Sequence, residues 1–198
     1  MILYSGEMGV HSHACRIVLF EKGVDCEIRF VRSDAQFEEL AEYNPYGETP
    51  TLADRDLVLY ESLIINEYLD ERLPHPPLMP VDPVSRGRAR LMITRVRRDW
   101  LDLVSRTDKP RKLSEDELNR IRDGLLAVSS VFNEQPFMLG NDFSVVDCYM
   151  AALLWRLPWL GIKLPRQAKP ILGYAQGLFD RPAFASSLSE AEQEIRVS

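Results

Sequence analysis

Over the first eighty residues, short apolar runs alternate with helical periodicity. Ile2–Tyr4 is a compact apolar run of the kind that forms a buried strand. Ser12–Lys22 places apolar residues at 14, 15, 17, 18, 19 and 20 and stops at Gly23, the pattern of a helix closed by glycine. Cys26–Val31 reads as a second strand, and Gln36–Tyr43 as a short helix ended by Asn44-Pro45. Thr51–Ala53 and Leu57–Tyr60 flank Asp54-Arg55-Asp56 as the arms of a hairpin would. Glu61–Leu73 is helical again, with Leu63, Ile64, Tyr68 and Leu69 as its apolar stripe. This succession of strands and helices predicts a small sheet covered by helices.

The pattern then breaks. Residues 74–83, Pro-His-Pro-Pro-Leu-Met-Pro-Val-Asp-Pro, hold five prolines in ten positions. Proline fixes φ and disfavours helix in the residue before it, which predicts a stiff, extended connection. Everything beyond it carries helical periodicity. Val84–Val104 offers Leu91, Val96, Trp100, Leu101 and Val104 for a core face. Ser114-Glu115-Asp116-Glu117 is a capping box opening a helix to about Phe132. Ser144-Val145-Val146-Asp147 is another, and the nearly all-apolar Tyr149–Leu157 beyond it predicts a buried central helix. Pro170–Phe179 and Ser189–Arg196 supply two more. The expected organisation is an α/β unit at 1–76, a Pro-rich linker at 77–83 and an all-helical unit at 84–198.

Charge narrows the function classes. The chain has 198 residues, with 24 basic against 30 acidic side chains and a net charge of −6. That balance argues against gripping nucleic acid over the whole surface. The charge is unevenly spread: residues 1–76 hold 6 basic and 15 acidic side chains, and residues 77–198 hold 18 and 15. Such asymmetry points to two differently dressed domains and a polar partner surface. The three cysteines, Cys15, Cys26 and Cys148, form no C-x-x-C pair, so neither a disulfide framework nor a zinc knuckle is encoded. The start of the chain lacks the signature of a secretory signal. No apolar run approaches the roughly 20 residues needed to cross a bilayer. A cytoplasmic protein without membrane contact is expected.

Four groups of residues could carry chemistry. Glu48-Thr49-Pro50-Thr51-Leu52 enters a strand; a cis Thr49–Pro50 bond there would free backbone groups to pair with an extended ligand, and a strand-edge proline is the plainer reading. Tyr60-Glu61-Ser62 stands where a strand becomes a helix, able to cap it or to help hold a carboxylate. His11-x-His13-x-Cys15 has the residue types of a metal site. On a helix, however, residues two apart point about 160° apart, so no metal is expected. Arg86, Arg88, Arg90, Arg95, Arg97 and Arg98 fall in thirteen residues without an acid. They form a solvated helix face, or a contact with a second subunit, an acidic protein or DNA. Phosphate-loop, dinucleotide, zincin and nucleophile-elbow motifs are missing from the sequence, and three histidines leave few candidates for a catalytic triad.

Taken in order, these features resemble the glutathione transferase fold across essentially the whole chain. That resemblance implies an N-terminal thioredoxin-like domain followed by a C-terminal helical bundle. Asn44-Pro45-x-Gly47-x-x-Pro50-Thr51-Leu52 is similar to the family's loop before its cis-proline, Glu61-Ser62 to its γ-glutamyl-binding pair, and Ser144-x-x-Asp147 to its helix box. Thr49, Pro50, Glu61 and Ser62 are thereby implied to be vestiges of a glutathione site. The catalytic position departs from the family: aligning Arg16-Ile17-Val18-Leu19 puts the thiolate-stabilising hydroxyl at about Gly9, which has none. Tyr4, at the end of the first strand, is the one substitute in the sequence, an aromatic packed at a strand end being its plainer reading, and Cys15, inside a helix, reads as a core thiol.

Longer segments resemble one branch, the stringent starvation protein A family of bacterial RNA polymerase-associated regulators. They are Tyr68 through Val81, Val146-Asp147-Cys148-Tyr149 and Leu153-Leu154-Trp155-Arg156-Leu157-Pro158. The resemblance implies a cytoplasmic homodimer without transferase activity or cofactor. It also implies binding to RNA polymerase holoenzyme through the primary sigma factor, in starvation, stationary phase and acid stress. The implied contact is Pro74-His75-Pro76 on an exposed surface, with Leu78 and Met79 as flanking apolar candidates. DNA contact by the arginine run would be secondary. The competing reading is a glutathione-dependent transferase using Tyr4 or a backbone donor, or a protein that binds glutathione without turnover.

Overall fold

The computed structural model describes residues 1–105 and 112–195. Its first unit is a four-stranded sheet in the order β2-β1-β3-β4, from β1 Ile2–Gly6, β2 Glu27–Val31, β3 Thr51–Asp54 and β4 Leu57–Tyr60. β1 and β2 run parallel, Leu3 opposite Ile28, joined by the crossover helix α1 (Val10–Lys22). β3 pairs antiparallel with both β1 and β4. The short helix α2 (Asp34–Ala41) is capped reciprocally by Ser33 and Gln36, and α3 (Ser62–Arg72) follows β4. Gly23 ends α1 at φ 60°, a left-handed position that suits glycine.

The rest of the described chain is helical. α4 (Pro83–Val96) starts on the Asp82 cap and continues through a π-helical turn, Arg97–Leu101, into the short α5 (Asp102–Ser105). α6 (Glu115–Val128) opens on the Ser114–Glu117 box and passes into a 3-10 turn at Ser129–Asn133. α7 (Val145–Arg156) is buried along nearly its whole length. Its box closes as the spacing predicted: Asp147 accepts from the Ser144 N–H at 2.9 Å and hydroxyl at 2.7 Å, and from the Met138 N–H and the Tyr174 hydroxyl. α8 (Lys169–Phe179), α9 (Pro182–Ser187) and α10 (Glu190–Glu194) complete the bundle. The expected helix to Arg196 ends earlier, and Arg196 lies outside the described residues.

α1 belongs to both halves: it packs on α3 and β1 on one side and on α7 and α9 on the other. That double role explains why its apolar positions extend around most of the helix, only Phe20 among them facing solvent. Two expected core positions are corrected. Leu91 is 63% exposed, because Ala89, Ile93 and Val96 define the inward face of α4 and Leu91 stands opposite them. Ile64 is likewise exposed, its neighbours Ile65 and Leu69 being the buried ones.

Polar groups also tie the halves together. Glu192 of α10, fully buried, takes Arg16 of α1 on one oxygen at 2.5 Å and Arg156 of α7 on the other. Arg16 also donates to the Ser187 carbonyl and the Ser5 hydroxyl, and Arg156 to the Met8 carbonyl. His13 completes the cluster: its Nδ1 faces Arg156 at 2.9 Å and its Nε2 the Ser187 hydroxyl at 3.0 Å. Burial pushes His13 well below the usual imidazole range. Burial opposes the charge on Glu192, but the cationic groups around it overturn that and hold the carboxyl at about 2.

Both groups take up protons at higher pH in the unfolded chain than in the fold, so both make stability fall as pH falls. His13 contributes below about 6.5, and Glu192 between about 4.5 and about 2. Glu192→Gln, which leaves two buried guanidiniums uncompensated, should cost ~3–5 kcal/mol. It should also flatten the stability profile below pH 4.5. Urea unfolding of both proteins at pH 7, 5 and 3 measures each effect.

Candidate functional site

Two places gather the residues singled out in the sequence. The first is a cavity of about 1050 Å³ where the start of α1, the 44–50 loop, the β4–α3 junction and Arg97 meet. Thr49, Pro50, Glu61 and Ser62 all line it, as does Gly9, so the structure assembles the whole expected constellation. The Thr49–Pro50 bond is cis, one of the two readings open for that proline. Asn44 shapes the loop from inside, donating to the Glu48 carbonyl and the Thr51 hydroxyl and accepting from the Tyr46 N–H. Thr49 packs so close to Gly6 that a Cβ at position 6 would lie 2.9 Å from the threonine oxygen, which is why glycine stands there.

The polar groups of this cavity are largely engaged within the chain. Ser62 accepts from the Tyr149 hydroxyl at 3.0 Å and faces His11 Nδ1 at 3.3 Å. Glu61, at φ 69°, pairs with Arg97 at 2.9 Å. Gly9 is the N-cap of α1 at φ −65°, a conformation open to any residue, so its lack of a side chain is a chemical difference and not a backbone requirement. A Cβ there would meet the Ser12 hydroxyl at 3.2 Å. Among the lining residues that the sequence reading did not assign to this site are Ser12, His11 and Arg97; helical phase from Gly9 could have found the first two.

Tyr4 lies elsewhere. It does not line the cavity; its ring stacks on Tyr43 at 6.3 Å with the Arg29 guanidinium above it. Of the two readings open for Tyr4, the structure shows the packed aromatic and does not bring its hydroxyl to the cavity. Nor do His11, His13 and Cys15 converge. His11 turns to Ser62 and Asp102, His13 to the Glu192 cluster, and the Cys15 thiol to the Ser62 carbonyl at 3.9 Å.

The second place is the turn after α3. Pro74, His75, Pro76 and Pro77 are all exposed, and the His75–Pro76 bond is cis, so the chain bends here where an extended strap was expected. Leu78 and Met79 are corrected as well. At 3% and 4% exposed they belong to the core, and the Leu78 carbonyl accepts from the Val145 N–H of α7 at 2.9 Å. In a proline-rich stretch no periodicity marks which apolar residues face inward. The apolar side chains left outside are Val81, 89% exposed, and Val84.

The arginine run divides in two. Arg86, Arg90 and Arg97 bridge to Asp70 and Glu71, to Glu67 and to Glu61, so the basic second unit neutralises acidic α3 of the same chain. Arg88, Arg95 and Arg98 are exposed and have no ion-pair partner among the described residues.

Cys15 and Cys148 are fully buried, and burial pushes both thiols above their ordinary range, while Cys26 is only partly covered. A thiolate nucleophile at Cys15 is excluded by that environment. A disulfide reagent at pH 8 should consume at most one thiol in the native protein and three after unfolding; rapid modification of Cys15 would contradict this.

Comparison with known proteins places this geometry. The family model for the glutathione S-transferase N-terminal domain matches residues 1–71, and that for the C-terminal domain residues 91–182. The solved bacterial glutathione transferase BphK, in a ternary complex, superposes with a TM-score of 0.83 at 24% identity, covering 98% of this chain and all of the other. A delta-class glutathione transferase from Nilaparvata lugens gives 0.86 at 20% identity, covering 98% and 95%. Among curated sequences, the stringent starvation protein A homolog of Coxiella burnetii is 47% identical over 198 residues, 99% of this chain and 95% of the relative. That of Pasteurella multocida is 44% identical, covering 95% and 90%. The chain thus belongs to the stringent starvation protein A family, within the glutathione transferase superfamily.

Proposed function

We propose that the protein is a cytoplasmic, homodimeric transcription regulator that binds RNA polymerase holoenzyme through the primary sigma factor, using the Pro74-His75-Pro76 turn. Its setting is starvation, stationary phase and acid stress, and it acts without transferase chemistry. The observation that carries this reading is the exposed Pro-His-Pro turn itself, in a chain more than 40% identical to stringent starvation protein A homologs. Rigid rings on either side leave His75 little freedom to lose on docking, and its imidazole can donate or accept at a partner surface. Val81 and Val84, following in the chain and both exposed, take over the apolar role first assigned to Leu78 and Met79.

The cavity supports the non-catalytic half of the proposal. Gly9 brings no hydroxyl to a thiolate, and Ser62 and Glu61 already bond within the chain. Retention of the cavity supports two other readings: glutathione held without turnover, and a transferase using a backbone donor. A conjugation assay with an electrophilic nitrobenzene separates them, and no activity above the buffer rate is expected.

For the dimer, the exposed Leu91 of α4 and Ile64 of α3 are the apolar candidates, with the exposed Arg88 and Arg95 of α4 as polar ones. Leu91→Glu with Ile64→Asp should give a folded monomer in sedimentation, and a persistent dimer would place the interface elsewhere. For the partner, replacing Pro74, His75 and Pro76 by Ala should abolish saturable binding to holoenzyme while helical content and dimerisation persist. A folded triple variant that binds like wild type would remove the turn from the mechanism. Charge reversal at Arg88, Arg95 and Arg98 tests the secondary DNA contact: weaker binding to promoter DNA with unchanged holoenzyme affinity is expected.

A further inference from the structure

The Pro74–Pro77 turn has little means of holding its own shape. Pro74, Pro76 and Pro77 have no N–H, so the hydrogen bonds that close ordinary turns are denied to them. Among the described residues, no backbone N–H of the turn finds a backbone acceptor. Its order must come from its carbonyls and from the residues on either side.

Both are met by one buried amine. Lys22, in the last turn of α1, directs its ammonium to Asp70 Oδ1 at 2.6 Å, to the Leu73 carbonyl at 2.7 Å and to the Pro76 carbonyl at 2.5 Å. An ammonium has three protons, and all three are spent here. The same Asp70 oxygen accepts the Leu78 N–H at 2.7 Å, and Leu78 is tied on to α7. The entry to the turn, its middle and its exit therefore meet at a single ion pair whose lysine side chain is fully buried. A charge withdrawn from water needs convergent acceptors of this kind to offset its desolvation. Arg86 faces the other Asp70 oxygen at 3.8 Å.

We infer that Lys22 is the positioning residue of the Pro74–Pro76 surface: held by Asp70, it fixes the backbone course that presents His75 to a protein partner. This rests on the reading of that surface as the polymerase contact. It adds a residue that touches no partner yet governs affinity, by setting the bound shape before the encounter. Preorganisation of that kind shows mainly in the dissociation rate.

The test uses the full-length dimer, with Lys22→Met, Lys22→Met/Asp70→Asn and His75→Ala alongside wild type. The double variant removes both charges and keeps an oxygen for the Leu78 N–H, so it carries the test if the single variant does not fold. Circular dichroism and sedimentation should match wild type. The Leu78 amide, bonded to Asp70, should exchange about tenfold faster, with those of α7 beyond Val145 unchanged, and holoenzyme should dissociate about tenfold faster. Binding within twofold of wild type by a folded Lys22 variant, while His75→Ala loses binding, would overturn the inference and leave the surface reading intact. If His75→Ala also binds like wild type, the surface reading fails. The exchange then decides the anchoring alone: an unchanged Leu78 amide refutes it, and an accelerated one upholds it.

Discussion

The Glu192 carboxylate, buried near the end of the described chain, is the constraint on which the arrangement of the two halves depends. It pairs with Arg16 from the sheet-packing helix α1 and Arg156 from the central bundle helix α7, and these arginines in turn hold the Ser5 hydroxyl and the Gly6 and Met8 carbonyls. The residues so fixed run directly into Gly9 and the start of α1, one wall of the cavity. A buried ion cluster is weak evidence for stability, since apolar packing of equal volume often does as well. What the cluster does here is geometric: it ties α10 to α1 and α7 and holds the residues that run into the start of α1.

A second buried ion pair repeats the device at the other end of α1. Lys22 and Asp70 do for the Pro74–Pro76 turn what Glu192 does for the 6–9 loop. One helix, shared by both halves, thus anchors the cavity through its first residues and the exposed turn through its last. In a catalytic transferase the cavity end would carry the chemistry. On the proposed reading, the glycine at that end and the exposed Pro-His-Pro turn at the other belong to a scaffold that uses the opposite terminus of α1.

Local signals were legible in the sequence, and distant pairings were not. Gly23, the Ser114–Glu117 and Ser144–Asp147 boxes and the hairpin around Arg55 follow short-range rules, and the structure obeys them. Thr49, Pro50, Glu61 and Ser62 could be grouped because the family motif carries their spacing. Arg16 and Glu192 could not, being 176 positions apart. The arginine run reads as a solvated face or a partner contact because the acids that pair Arg86, Arg90 and Arg97, namely Glu61, Glu67, Asp70 and Glu71, lie in a different segment of the chain. Leu78 and Met79 were misplaced because proline-rich segments have no period from which to read an inward face. Leu91 was misplaced because a helix with apolar residues on more than one face leaves the phase ambiguous.

Photocrosslinking from position 75 is the most direct measurement. With a photoreactive residue in place of His75 and holoenzyme at saturating concentration, an adduct to the primary sigma factor is predicted. It should be lost when excess wild-type protein competes. No adduct to any polymerase subunit from position 75, with an adduct from a control position at Leu91, would contradict a partner surface at the Pro-His-Pro turn.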